Sequence, residues 1–207
     1  CIYDSYQKRM DYKRQVMENK EKIFNTMELE DYTEAIRLID EFLQQDLKDS
    51  DYIDVKLMKA DCYFYQGIDY TMEEIESNSN DYYEYNKYYE KAAEIYEEIK
   101  AEKITEETYF NVEVMQGMAY LFLDENIYND ELNAMIADIE EKLENDGNID
   151  YPFNQIQLLL FMYYFDEYSE SKSEEDLEKA LVYGESACEL QQNLSDINVQ
   201  EHKLQTL

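Results

Sequence analysis

The chain contains very few of the residues that form turns: one proline and four glycines among 207 residues. Sandwiches and barrels need turn residues about every 8–12 positions, and a doubly wound fold needs glycine where its strands turn into helices. Both classes are therefore excluded. Because 44% of the residues are hydrophobic, the chain can still bury a core. The sequence predicts an all-α fold.

The groups that usually carry catalysis are equally scarce. His202 is the only histidine, and the four glycines, at positions 67, 117, 147 and 184, form no phosphate-binding loop. A Ser or Cys triad would have only a C-terminal base, and a di-metal site built on two Glu-x-x-His pairs cannot form. We predict a protein that is not an enzyme and that binds no cofactor and no metal.

Residues 144–150 (ENDGNID) look like part of a calcium-binding EF-hand loop. With Gly147 at the sixth loop position, Lys142 would stand at the first and Phe153 at the twelfth. Neither side chain supplies the carboxylate that calcium needs there. We therefore interpret this segment as an Asp-Gly turn between helices.

Positive charge is the next shortage, because 18 cations face 50 carboxylates and the net charge is −32. From residue 104 onward four lysines face 24 carboxylates, a net charge of −20. Such a surface repels a phosphate backbone, so no nucleic acid is expected as a partner. Residues 1–22 carry six cations and four carboxylates and are the only segment that an anionic membrane would attract. The alternative is that these cations pair with the acidic body.

Three cysteines remain to be explained. The first residue, Cys1, resembles the mature end of a bacterial lipoprotein, which is cut immediately before a cysteine that then carries the lipid. It predicts lipid attachment at Cys1 as the only membrane contact, since no apolar run reaches about 18 residues. If the sequence instead begins inside a longer chain, we expect the protein to be cytoplasmic. Cys62 and Cys188 are predicted to be buried, unpaired and unreactive thiols.

The apolar spacing predicts helices in pairs. Val16, Ile23 and Phe24 lie at helical spacing in the first helix, and Asp31 is placed to cap the second. Residues 67–80 are the most loop-like stretch of the chain. The predicted hairpins span about 3–46, 51–100, 106–145 and 152–191, and a capping helix spans about 195–205.

Four alanines recur in the same acidic, helix-forming setting, at positions 35, 92, 134 and 180. Self-similarity of this kind is typical of stacked helical hairpins. It predicts a single domain over residues 1–207, built as a right-handed superhelical stack of about four antiparallel hairpins. Such a stack usually offers a surface to a partner.

The repeats resemble tetratricopeptide repeats. The segment 116–120 (QGMAY) matches the small residue and the tyrosine of that family's first helix, as do Ala60 and Tyr63. The recurring alanines match its helix-crossing position. Their separations of 57, 42 and 46 residues exceed the family's 34, so each turn would carry an insertion. The resemblance implies a solenoid in which the first helix of each hairpin lines a concave binding face.

We align Ala60, Gly117 and Leu160 with the position that holds a small residue in that family. Counted from these positions, the resemblance assigns eight residues to the binding face. They are Asp54, Asp61, Asn111, Met118, Asn154, Gln157, Phe161 and Tyr164. Because the second half is so acidic, we expect a neutral or basic protein or peptide that binds less tightly as salt rises.

The leading hypothesis is a non-catalytic adaptor anchored at the cell surface by a lipid. The alternative is a cytoplasmic regulator or assembly scaffold cropped from a longer chain. The 22 tyrosines, clustered around 82–89 and 163–164, suit a recognition surface. Biased composition together with helix packing explains them as well.

Overall fold

The computed structural model describes residues 2–77, 85–123, 128–145 and 153–188. These residues form eight helices and no strand, which confirms the all-α class. None of the described helices is long and apolar enough to cross a bilayer. Predictions that fall on Cys1, on residues 146–150 and on the capping helix at 195–205 lie outside the described residues. The chain divides into two compact units, unit 1 (residues 1–104) and unit 2 (residues 105–207).

Unit 1 contains four helices that pack in chain order, and its first and third helices also touch each other. Only three residues join the first helix to the second, so these two neighbours must run in opposite directions. The four are α1 (Ile2–Glu28), α2 (Tyr32–Leu43), α3 (Asp49–Ser77) and α4 (Asn86–Lys100).

The core of unit 1 lies where α1, α2 and α3 meet. Its fully buried side chains include Ile23, Ile39, Phe42 and Val55. Phe24, which the apolar spacing grouped with Val16 and Ile23, lies outside this core, because 54% of its surface is exposed. The buried face of α1 is centred on Val16 and Ile23, and one further residue turns the helix by about 100°.

The turn between α1 and α2 is built without glycine. Glu30 takes a left-handed conformation with φ 60°, and its N–H donates to the Met27 carbonyl at 2.8 Å. The Asp31 N–H donates to the Thr26 carbonyl, which completes a Schellman-type helix end. The Asp31 side chain then accepts a hydrogen bond from the Glu34 N–H at 3.1 Å, which confirms the predicted cap of α2.

Helix α3 is longer than the sequence suggests. The prediction of a loop is wrong over residues 67–77, because the helix continues through Gly67 to Ser77. A Cβ atom at position 67 would come within 2.8 Å of the Tyr89 ring on α4. The glycine therefore serves the close packing of α3 against α4 and does not mark a turn, so tertiary contacts outweigh its low helix propensity.

Unit 2 contains α5 (Glu106–Leu121), α6 (Asn129–Asn145), α7 (Phe153–Ser171) and α8 (174–188). Thr105 caps α5, since its side-chain oxygen accepts a hydrogen bond from the Thr108 N–H at 3.1 Å. Helix α5 packs against both α6 and α7. At the α5 and α7 contact, a Cβ atom on Gly117 would lie 3.2 Å from a Leu159 methyl carbon.

Two expectations about small residues fail. Ala35, Ala92 and Ala180 are buried, but Ala134 is exposed. The buried face of α6 is formed by Leu132, Met135, Ile136 and Ile139, and position 134 points to the other side. Cys62 is buried as predicted, whereas Cys188 is exposed, about 80° around α8 from the buried Ala180.

Candidate functional site

The eight predicted partner-binding residues divide between the units. Asp54 and Asp61 lie on α3 in unit 1, and the other six lie on α5 and α7 in unit 2. Asn154 stands in the first turn of α7, and its side chain is outside the described part of the structure. The surroundings of the other seven differ widely.

Asp54 is exposed and already paired within unit 1. The Lys20 ammonium lies 2.7 Å from a carboxylate oxygen of Asp54 and 3.0 Å from one of Asp51. Asp51 also accepts a hydrogen bond from the Tyr12 hydroxyl at 2.7 Å. Burial by itself lowers the pKa of Lys20, but the two carboxylates outweigh it and the pKa is raised. Asp54 therefore belongs to an internal network that bridges α1 and α3.

Asp61 serves the contact between α3 and α4. It accepts a hydrogen bond from the Tyr96 hydroxyl at 2.7 Å. Burial raises the pKa of Asp61 to about 6, although the Tyr96 hydrogen bond opposes the change. Burial, with the neighbouring Asp61 carboxylate, raises the pKa of Cys62 to about 12. That thiol is therefore unreactive near neutral pH, as the sequence predicts.

Three of the predicted residues in unit 2 pack inside it. Met118 and Tyr164 are buried, and the half-buried Phe161 ring would lie 2.9 Å from a Cβ atom on Gly184. The Tyr164 hydroxyl donates to Glu140 at 2.9 Å and accepts a hydrogen bond from Lys179 at 2.9 Å. These contacts occupy the groups that a partner would use, so a direct role for the three in binding stays a prediction that this packing does not favour.

Asn111 on α5 and Gln157 on α7 behave differently. The Asn111 Oδ1 atom and the Gln157 Oε1 atom are shielded from solvent, and neither receives a hydrogen bond from a described residue. Among the described residues, no other buried side-chain oxygen or nitrogen lacks a partner. An unsatisfied buried acceptor costs about 1–3 kcal/mol, so it is unusual in a packed interior. Both oxygens can accept a hydrogen bond from an N–H or an ammonium group.

Helix α5 also carries polar groups that the sequence analysis missed. Glu113 is buried, and one of its oxygens lies 3.1 Å from the Lys142 ammonium, which also bonds Asp138. Burial raises the pKa of Glu113, although Lys142 opposes the change. The buried Gln116 amide donates to the Tyr120 hydroxyl at 3.0 Å. The sequence signal for this network is Lys142 itself, the only cation between residues 104 and 171.

The predicted tyrosine surface is largely a packing surface where the structure describes it. Tyr85 and Tyr89 are buried, and Tyr88 stacks on Tyr70 with ring centroids 4.9 Å apart. In the described part of the chain, no cluster of three or more His, Cys, Asp or Glu residues has the arrangement of a metal site. The tyrosines and polar side chains described above serve packing and hydrogen bonding between helices.

Compared with protein-family models, with curated proteins and with solved structures, the chain matches none of them.

Proposed function

We propose that this chain is a non-catalytic protein-interaction module. In this proposal α5 and α7, the first helices of the two hairpins of unit 2, hold a segment of the partner. The observation that carries the proposal is the pair of buried, unpartnered oxygens on Asn111 and Gln157. Both residues are expected at the binding face from the tetratricopeptide resemblance alone. Because both oxygens are shielded from solvent, a partner reaches them only when these side chains or their neighbours move, and an N–H donated to each oxygen then removes the cost of leaving it unsatisfied.

The chemistry of the site favours a neutral or basic peptide. Backbone N–H groups, lysine and arginine are hydrogen-bond donors, whereas the two unpartnered oxygens of Asn111 and Gln157 are acceptors. Unit 2 carries four lysines against 24 carboxylates, so it attracts cations and repels anions at long range. The partner is therefore a protein or peptide whose approach is assisted by charge and whose orientation is fixed by the two amides.

The arrangement of helices supports the proposed stack of hairpins. In unit 1 the first helix of one hairpin, α1, touches the first helix of the next, α3, and in unit 2 α5 touches α7 in the same way. Contact between successive first helices is what a right-handed tetratricopeptide-like stack requires. A solution scattering measurement tests it: a compact 207-residue domain has a radius of gyration of about 17 Å, and a stack exceeds that value.

Partner capture tests the function. The chain is immobilised, exposed to an extract of the source cell at low and at high salt, and compared with Asn111→Leu and Gln157→Met, which remove the two oxygens. Asn145→Ala is the matched control, since Asn145 is an exposed amide at the end of α6. We expect a partner that both site variants lose, that the control keeps, and that high salt releases. A partner retained by all variants places the interface elsewhere.

We further propose that a lipid on Cys1 holds the module at a membrane surface. This is the attachment that the resemblance to bacterial lipoproteins implies, since these proteins carry their lipid on a cysteine. Mass spectrometry of the protein purified from its source cell is expected to find the first residue enlarged by a lipid, and Cys1→Ser is expected to release the protein from the membrane fraction. An unmodified Cys1 in membrane-free extract would contradict the anchor.

A further inference from the structure

Helix α1 has a second apolar face that unit 1 does not cover. Tyr6, Met10, Lys13, Met17 and Phe24 follow one another at separations of four, three, four and seven residues. That spacing places all five on one side of a helix. We call this side the outer face of α1. Its aromatic and methionine side chains are 45–63% exposed, in contrast to the buried Val16 and Ile23.

The cations beside the outer face are only partly neutralised. Arg14 pairs with Asp11, and Lys20 pairs with the two aspartates of α3. Neither Arg9 nor Lys13 forms an ion pair with any residue that the structure describes. The sequence left open whether the cations of residues 1–22 pair with carboxylates of the chain. In the structure Arg14 and Lys20 form such pairs, whereas Arg9 and Lys13 form none with the described residues.

An open groove runs along the same side of α1, between this helix and the start of α3. Its floor is apolar, with Val16, Met17, Phe24 and Met58, and lysines stand on its rim. Lys48, one of these, lies 4.6 Å above the Tyr12 ring. The carboxylates that reach the groove are Asp51, which the Lys20 and Tyr12 contacts occupy, and Glu21.

We propose that the outer face of α1 lies on the surface of an anionic lipid bilayer. Tyr6, Met10, Met17 and Phe24 enter the boundary between headgroups and acyl chains, and Arg9 and Lys13 contact the lipid phosphates. Apolar side chains on one side of a helix, flanked by lysine and arginine, are the features of an interfacial helix. This contact goes beyond the anchor on Cys1 and does not depend on it.

The length of the face favours a bilayer over a peptide. Tyr6 and Phe24 are 18 residues apart, or about 27 Å along the helix axis. The groove extends only from Tyr12 to Phe24 along α1, so a peptide seated in it would leave Tyr6 and Met10 uncovered. A flat surface touches the whole row.

Charge favours a bilayer over a second copy of the chain. A second copy that packs through the same face brings Arg9 and Lys13 toward its own copies of these cations, whereas the phosphates of an anionic bilayer neutralise them. At physiological ionic strength the screening length is about 8 Å, so carboxylates on the far side of the protein oppose the contact only weakly.

The absence of tryptophan allows a direct test. Single-tryptophan variants Phe24→Trp and Phe165→Trp are made in a Cys1→Ser background, which cannot carry the lipid. Position 165 is the matched control, since Phe165 on α7 is 53% exposed and Phe24 is 54% exposed. Each is titrated with vesicles of phosphatidylcholine alone and of phosphatidylcholine mixed with phosphatidylglycerol, at low and at high salt.

We expect the emission of the tryptophan at position 24 to shift to shorter wavelength only with the anionic vesicles at low salt, while the control does not change. Replacing Arg9 or Lys13 by glutamine is expected to weaken vesicle binding about fivefold each, and Lys103→Gln to leave it unchanged. No shift at position 24 with anionic vesicles at low salt overturns the proposal. So does an equal shift at both positions, or a shift that rises with protein concentration without lipid, which indicates self-association. None of these outcomes bears on partner capture by unit 2.

Discussion

Unit 1 and unit 2 differ in where they keep their polar side chains. Unit 1 carries 14 cations against 26 carboxylates, and its main ion network, Lys20 with Asp51 and Asp54, lies beside an open groove. Unit 2 carries four cations against 24 carboxylates and yet buries Glu113, Gln116 and Gln157. In the two proposals, unit 1 contacts a membrane through cations on its surface, and unit 2 contacts a partner through shielded hydrogen-bond acceptors.

The largest expected effect tests the packing on which both units depend. Ala92 in unit 1 and Ala180 in unit 2 are fully buried, so enlarging either to leucine is expected to cost about 2–3 kcal/mol by overpacking. Ala134→Leu is the control and should change stability by less than about 0.5 kcal/mol, because Ala134 is exposed. Urea unfolding measures all three. A loss at position 134 equal to the others would mean that α6 is turned differently from the structure.

The second prediction compares the two ion networks. Lys142→Met leaves the buried Glu113 carboxylate without its cation and is expected to cost about 2 kcal/mol. Lys20→Met should cost only about 1 kcal/mol, because Asp51 keeps the Tyr12 hydrogen bond and Asp54 faces solvent.

Adding Glu113→Leu to Lys142→Met should recover most of the loss, since no uncompensated charge is then buried. Equal losses for the two lysine variants, or no recovery in the double variant, would show that burial does not distinguish the networks.

The third prediction uses pH and concerns Asp61, a half-buried carboxylate on α3. Asp61 accepts the Tyr96 hydrogen bond but pairs with no cation among the described residues, and burial raises its pKa to about 6, so the folded protein binds its proton more tightly than the unfolded chain. Stability from this group is therefore present at low pH and is lost as the pH rises from about 4 to about 6. Asp61→Asn, which can still accept the Tyr96 hydrogen bond, should remove that loss.

At pH 7 the asparagine variant should be more stable than the native chain by about 1–2 kcal/mol, and at pH 4 the two should be alike. Urea melts across this pH range check it. A constant difference at every pH would rule out titration of Asp61 as the cause.

The smallest expected effect concerns the two non-glycine residues with left-handed backbone in the described part of the chain, one in each unit. Glu30 after α1 and Lys172 after α7 have φ values of 60° and 57°. Glycine takes this conformation without a steric penalty, so Glu30→Gly should stabilise the chain by about 1 kcal/mol. The gain from Lys172→Gly should be smaller, since Lys172 bonds the Ser169 carbonyl and lies over the Tyr168 ring. Thermal unfolding of the two variants would contradict the explanation if Lys172→Gly gained more.

Local signals in the sequence predicted the helices well where those signals were strong. The spacing of Val16 and Ile23 located α1, and Asp31 located the start of α2, because both patterns arise within one or two helical turns. Gly67 was misread as a turn residue because its reason is a tyrosine on another helix. The exposure of Ala134 was also missed. The recurrence of alanine does not show which side of α6 is buried, because that depends on the helices packed against it.

The candidate site was predictable only in part. The family resemblance included Asn111 and Gln157 among eight residues, but it could not tell them from Tyr164, whose hydroxyl is already bonded to Glu140 and Lys179. That distinction depends on contacts between helices. The outer face of α1 was missed because Phe24 was grouped with Ile23, the residue before it. Ile23 is buried and Phe24 is exposed.

The measurement that tests the central claim most directly is a pair of readings on Gln157→Met. If the Gln157 oxygen is an acceptor kept for a partner, removing it relieves an unsatisfied buried group, so urea unfolding should show a gain of about 1 kcal/mol while partner capture falls. Opposite signs in stability and binding are the predicted result. A variant that is less stable than the native chain, or one that captures the partner as well as the native chain does, would contradict the claim.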